Sequence, residues 1–370
     1  MDAVGRGPDL STDGFIPYRE QAMDVDTQQP HHVEQLWFED GNVVLQAGNA
    51  QYRVYRGTLA RRSPVFRDLF SVPQPQDAEL VEGCPFVRLP DEEVEVTPFL
   101  QALFDTEFFL PFPETTTFVT VYGCLRLAHK YEVLDLRRRA LVHLSSRFRT
   151  TLDQESSLLH DRWNRATDFW KEAGHLPDQT SWNDVVFNHP EVVRCVIQLA
   201  REVDAPWVLP SAFYHLVSAN VLDSRLFVAT SCAGITATAL SAADQTLILH
   251  GCDSLSRATQ SVIHAFNSPQ EDKWCRSSSD CSKNRLNIIG ENQDMFHTYQ
   301  RDPLRVWTDR DDWDRYVGYV CGSCKSTISD AMDEARRAFW QALPAAFDLP
   351  AWEELEKAKT AAIGGCFVDI

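Results

Sequence analysis

The stretch VVLQAGNAQYRV, Val43 to Val54, constrains the fold of this chain more than any other. Two short runs flank Gly48-Asn49, a pair that supplies the positive φ angles of a tight primed turn, so the stretch predicts a two-strand hairpin. Tyr52 and Val54 share one face of the second strand and Arg53 and Tyr55 the other. Soon after it, Ser63-Pro64 sets an N-cap and a first helical position, and Val65, Phe66, Leu69 and Phe70 fall on one apolar face. Five arginines (Arg53, Arg56, Arg61, Arg62, Arg67) are interleaved here with Tyr52, Tyr55 and Phe66. A nucleic-acid platform needs basic and stacking groups together. The strand and helix periods separate them, with Tyr55 as the exception, so packing is the favoured reading.

The signals continue in the same style to about Leu144. FVRLP, Phe86 to Pro90, reads as a short strand. Thr97-Pro98 repeats the helix-opening pair ahead of Phe99, Leu100, Leu103 and Phe104. Asp91, Glu92 and Glu93 precede that helix, where carboxylates meet its positive dipole end. Helices follow from about Thr116 (Phe118, Val121, Tyr122, Leu125) and from Asp135 (Leu136, Ala140, Leu141, Leu144). Strands interleaved with helices make an α+β unit over 34–148.

Residues 1–33, rich in Asp, Gln, Pro and Gly, read as a disordered tail that includes His31 and His32. Residues 149–370 read as mainly helical. HPEVVRCVIQLAREV (His189 to Val203) buries Val192, Val193, Val196, Ile197 and Ala200, and Pro206 stops it. FYHLVSANVLDSRLFVAT and Ala242 to Phe266 are expected as further buried helices. SSSDCSKN and Glu291 to Arg315 are expected as loops, and SDAMDEARRAFWQAL as a helix through Met332, Ala335, Phe339 and Leu343.

The N-terminal unit resembles a BTB/POZ domain. The resemblance is carried by FEDGNVVLQAG, QYRVYRGTLARRSPVFRDLF, VRLPDEEVEVTPFLQALFD and YGCLRLAHKYEVLDLRRRALVHL, which stand in the family's order between Trp37 and Leu144. HPEVVRCVIQLAREVDAPWVLPSAFYHL and ARRAFWQALPAAFDLPAWEEL resemble, more loosely, an extension found on BTB proteins of mushroom-forming fungi. The resemblance implies a protein-interaction module, usually a homodimer, that in some members recruits a cullin ubiquitin-ligase scaffold or transcriptional corepressors. In many dimeric members an Asp opens the first strand and pairs with a basic residue. Here Asn42 and Arg56 hold those positions, a charge-neutral pair at most, and Tyr55 replaces a usual His. Asp105-Thr106-Glu107 fits the cullin-binding signature only in part.

A formal charge of -18 and a pI near 5.0 oppose general affinity for nucleic acid or anionic membrane, because phosphate neutralisation needs surplus Lys and Arg. The run Arg137-Arg138-Arg139, with Arg126, Lys130, Arg147 and Arg149, therefore reads as a solvated face. No apolar run is long enough to span a bilayer. The start lacks a secretory signal, and Cys366 is misplaced for a prenylation box. An intracellular protein, nuclear or cytoplasmic, is expected, with its ten cysteines reduced.

Cys321-x2-Cys324 puts two thiolates on one turn, with Gly322 permitting it. Cys275-x5-Cys281 supplies a second, wider pair, for which His297 or Cys252 can substitute. These four cysteines, in a segment of about 270–326, are a candidate structural zinc site; buried apolar thiols are the alternative. A redox role is disfavoured, since no βαβ context surrounds the C-x2-C. His129 reads as a structural helix-end residue. Ser231-Cys232-Ala233-Gly234 lacks the nucleophile-elbow pattern, and no phosphate or dinucleotide loop is found. The expected function is non-catalytic protein interaction. The alternatives are a cullin-ligase substrate adaptor and a transcriptional regulator with structural zinc.

Overall fold

The computed structural model describes residues 29–73, 79–156, 181–182, 190–219, 228–267, 275, 277–291, 299–306 and 317–365. It is an α+β molecule with one five-stranded mixed sheet. The strands are β1 (His31–Trp37), β2 (Val43–Ala47), β3 (Ala50–Val54), β4 (Leu80–Val81) and β5 (Cys84–Arg88), in the order β1-β3-β2-β5-β4. The hairpin forms as expected. Val43 faces Val54 and Ala47 faces Ala50 across an antiparallel ladder. Gly48 alone takes the positive φ (54°); Asn49 is not in that region.

β1 pairs with β3 in parallel, and β5 with β2 in parallel. The expected tail is therefore too long at its C-terminal end, because His31 and His32 belong to β1; residues 1–28 lie outside the described set. Both histidines have contacts. His32 stacks on Trp37 at 3.5 Å, and His31 Nε2 lies 3.3 Å from Glu93 Oε1.

After the hairpin come α1 (Arg56–Arg62) and α2 (Pro64–Ser71). Ser63 Oγ accepts from Phe66 N at 3.0 Å, the cap its sequence predicts, and also donates to Tyr131 O at 2.6 Å. Phe66 and Phe70 bury against the core, whereas Leu69 is exposed. The buried stripe of this short helix is the i, i+4 pair alone.

α3 (Glu93–Phe104) corrects the Thr97-Pro98 expectation. Thr97-Pro98 lies inside the helix, which starts one turn earlier behind Glu92. Pro98 is the sixth residue of the helix and forgoes the hydrogen bond an amide there would make to the carbonyl of Val94, while Glu93 and Glu95 meet the positive helix end. Thr97 Oγ1, in place of capping, hydrogen-bonds Tyr52 Oη at 2.8 Å. α3 packs on α4 (Phe118–Lys130), which packs on α5 (Leu134–Ser145). A Cβ at Gly123 would come within 2.9 Å of Glu95 O, so this glycine sets how closely α3 and α4 approach.

The C-terminal region comprises α6 (Pro190–Glu202), α7 (Leu209–Ser218), a two-strand hairpin β6 (Thr230–Cys232) and β7 (Ile235–Ala237), α8 (Ala242–Asn267), α9 (Ser278–Glu291), α10 (Gly322–Ala342) and α11 (Trp352–Ile363). α6 buries the apolar set its period predicts. FYHLVSANVLDSRLFVAT is not one helix: α7 ends at Ser218 and Thr230 begins a strand. Residues 220–227 lie outside the described set, and beyond them Ala233-Gly234 adopts positive φ (50° and 77°) and turns β6 back onto β7.

One apolar cluster runs from Leu36 to Ile363 and unites the N-terminal unit with α6, α7 and α11. The arginine run on α5 lies at this seam. Arg137 Nη2 donates to Val203 O (2.6 Å), Arg138 Nε to Ile363 O (2.8 Å) and Arg139 Nη1 to Phe109 O (2.6 Å). These side chains bind carbonyls distant in sequence, so the expected solvated face is instead partly a joint. Trp207 Nε1 reaches Ser145 Oγ at 2.9 Å, and Trp340 Nε1 reaches Thr150 O at 3.2 Å.

A second cluster contains Val262, Phe266, Cys281, Ile288, Val306, Val317, Val320, Cys324, Ile328 and Met332. α8 and α10 run along each other and join the two clusters. Ile248 and Leu255 of α8, with Phe339 and Trp340 of α10, lie in the first; Val262, Phe266, Ile328 and Met332 lie in the second. Among the described residues, no helix is long and apolar enough to cross a membrane.

Candidate metal centre and the N-terminal pocket

SSSDCSKN is not a loop. It forms the first turns of α9, because Ser277 supplies a start signal: its Oγ donates to Asp280 Oδ2 at 3.1 Å, and its carbonyl accepts from Cys281 N at 3.0 Å. Ser-x-x-Asp is a capping-box variant and was readable as such. Cys281 thus sits in the first turn of α9, with Cys275 just upstream.

Cys321 is the N-cap of α10 and Cys324 lies one turn inside it. Gly322 is an ordinary helical residue rather than a turn glycine, so the C-x2-C geometry comes from the helix start itself. Asn284 Nδ2 donates to Tyr319 O at 2.6 Å and ties α9 to the turn that leads into α10.

These elements bring Cys275, Cys281, Cys321 and Cys324 together. Their four Sγ atoms all lie within 4.8 Å of one another. Cys321 Sγ is 3.8 Å from Cys275 Sγ, and the Cys321 amide points at Cys281 Sγ at 3.4 Å. Four thiols in this arrangement can hold a metal ion. A tetrahedron with metal–sulfur bonds of about 2.3 Å has edges of about 3.8 Å, so the group fits with a small contraction.

Two helix N-termini, of α9 and α10, end at the cluster, and their partial positive charges favour sulfur in its anionic form. The Cys321 thiol is drawn down to about 7, chiefly by the Cys324 backbone amide. Burial pushes Cys324 up. Cys281 is raised as well, since burial and the neighbouring thiols outweigh the Cys321 amide. Of the alternative ligands, Cys252 lies on α8 against the first apolar cluster, away from the other sulfurs. His297 falls outside the described residues.

The N-terminal pocket residues are also adjacent, in a different arrangement from the expected one. Asn42 Oδ1 accepts from the backbone amide of Arg56, the first residue of α1, at 2.8 Å. The Arg56 guanidinium turns to Phe70, donating to its carbonyl and lying 5.3 Å from its ring centroid. Tyr55 Oη donates to Asp40 Oδ1 at 2.5 Å, which raises the phenol, and its ring stacks on Phe38 at 5.0 Å. Asp40, in the FEDG turn, is the acidic member that sequence reasoning missed. Its signal was its place two residues ahead of the strand-opening Asn42. Asp105 Oδ1 accepts from Glu107 N at 2.8 Å, which closes the turn after α3.

Asp91 and Glu95 do more than meet a helix dipole. Lys130 Nζ and Tyr131 Oη both donate to buried Asp91 at 2.6 Å. Arg126 bridges Glu95 (2.5 Å) and Glu202 (3.0 Å), linking α3, α4 and α6. Burial pushes Glu95 up, and Arg126 draws it back without overcoming that. His129, at the end of α4, has its Nδ1 3.3 Å from Arg137 Nε, a structural contact.

Fold and site together define an α+β unit fused through one core to a helical region that carries a four-thiol cluster. Comparison with family models, curated proteins and solved structures finds no match to this chain.

Proposed function

We propose that this is a non-catalytic interaction protein, whose N-terminal unit resembles a BTB/POZ domain and pairs with a second copy or a partner chain. The observation that supports the reading is the order of elements over 43–145: a hairpin, two short helices, a third strand added in parallel to β2, and three packed helices. That is the order the motif resemblance implies. The helical region, fused to the unit by the arginine joint, presents a second surface. Light scattering coupled to size exclusion on the full chain tests the pairing. A dimer mass is expected at micromolar concentration, and a strict monomer with no dimer in crosslinking ends the self-pairing version.

The thiol cluster supports a second element of the reading: the metal is zinc, held structurally. Four cysteines offer no water-accessible fourth position of the kind catalytic zinc keeps. Elemental analysis of protein purified without chelator should return zinc near one per chain, and its absence removes this element.

A further inference from the structure

We infer that the four-cysteine centre is the nucleus of the second apolar cluster, so that α9 and the N-terminal half of α10 fold only when zinc is bound, while the N-terminal unit does not depend on it. The inference rests on the reading of the ion as zinc. Among the described residues the second cluster has ten buried apolar side chains with seven partly buried ones packed on them, and four of these seventeen, Cys275, Cys281, Cys321 and Cys324, are themselves the candidate ligands. A core of this size supplies too little burial to fix two helices, and small folds of this kind need a metal or disulfides. The four cysteines are free thiols in this arrangement, with Cys321 Sγ 3.8 Å from Cys275 Sγ against about 2.05 Å for a disulfide bond.

The ligands also come from two sequence-distant elements. Beyond the sulfurs, the ties between α9 and the start of α10 include the Asn284–Tyr319 hydrogen bond and their shared packing under α8. An ion held by all four thiolates joins the two helix starts and closes the chain between Cys281 and Cys321. The binding free energy then becomes folding free energy. Each thiol gives its proton to solvent as it binds, and the resulting net negative centre sits against two helix N-termini that offset its charge. The first cluster needs none of this. It runs through the hairpin, α3 to α7 and α11, and contains none of the four ligands.

Hydrogen exchange read by mass spectrometry, on full-length protein kept reduced, tests the inference with native mass spectrometry alongside. With one zinc bound, peptides from 277–291 and 317–332 should be protected. A strong chelator should lower their protection by about tenfold or more, and added Zn(II) should restore it. Peptides from 43–145 should not change. Cys321→Ser with Cys324→Ser should reproduce the loss without chelator, whereas Cys252→Ser should keep both metal and protection. If one zinc is bound and its removal leaves α9 and α10 protected, the coupling is wrong and the zinc reading stands. If no zinc is bound, or the mass shows lost hydrogens of a disulfide, both are overturned.

Discussion

Asn42 holds the first amide of α1 through its side chain, while the Arg56 side chain above that amide turns away to the carbonyl of Phe70. The residue just ahead of β2 therefore does the work of an N-cap for a seven-residue helix whose own N-cap, Tyr55, makes no side-chain cap bond. Asn42→Ala should lower stability by about 0.5–1 kcal/mol in urea denaturation. Asn42→Asp should match the parent or exceed it, because a carboxylate faces a helix N-terminus. A loss in Asn42→Asp equal to that in Asn42→Ala would show that the acceptor oxygen at this position contributes nothing.

Arg126→Met leaves Glu95 buried without its cation. The expected cost near neutral pH is about 3 kcal/mol. The sign with pH is fixed by burial, which raises the folded Glu95 carboxyl above its unfolded value. The penalty for the charged form acts above the folded value and disappears as pH falls below the unfolded one. Denaturation curves of variant and parent should converge on acidification, and a gap that stays constant with pH counts against this account.

Lys359 is a buried ammonium, 1% exposed, whose Nζ reaches Thr150 Oγ1 at 3.2 Å and Glu356 Oε1 at 3.8 Å. Burial lowers its folded value below the unfolded one. The charge thus opposes folding at neutral pH, and that opposition fades as pH rises from the folded towards the unfolded value. Lys359→Met should gain about 1 kcal/mol at neutral pH and flatten the rise of stability towards alkaline pH. A loss of stability would mean that the Thr150 and Glu356 contacts outweigh desolvation.

The N-terminal unit is not finished by its own residues. Residues 29–156 alone expose the faces of α4 and α5 that α6, α7 and α11 cover in the full chain, and leave Arg137 and Arg138 without Val203 O and Ile363 O. The fragment should unfold at lower urea than the same strands and helices do in the full chain, and bind a hydrophobic dye. Equal midpoints would show that the shared core adds no stability.

Local chemistry was legible where a residue acts on its near neighbours. Gly48 turned the hairpin, Ser63 capped α2, and Thr117 Oγ1 accepts from Thr120 N at 3.2 Å to open α4. Thr97-Pro98 misled because a proline early in a helix gives the same local signal at the first position as one turn later. Arg137, Arg138 and Arg139 misled because their partners are 66, 225 and 30 residues away. The cysteine centre was half legible. The residues stand out by spacing, yet their meeting depends on α8 and α10 lying side by side, which no short pattern encodes.

α8 and α10 also act as a paired spacer. The 26 residues of α8 span about 39 Å, with one end in the first cluster and the other beside the thiols. A residue inserted midway in either helix turns everything beyond it by about 100°. At Gly251 the tolerance is smaller still, since an added Cβ would fall 2.2 Å from Phe347 Cε1. The interval and the facing of the thiol centre relative to the N-terminal unit are consequently written in residue number, and are changed by insertion or deletion far more readily than by substitution.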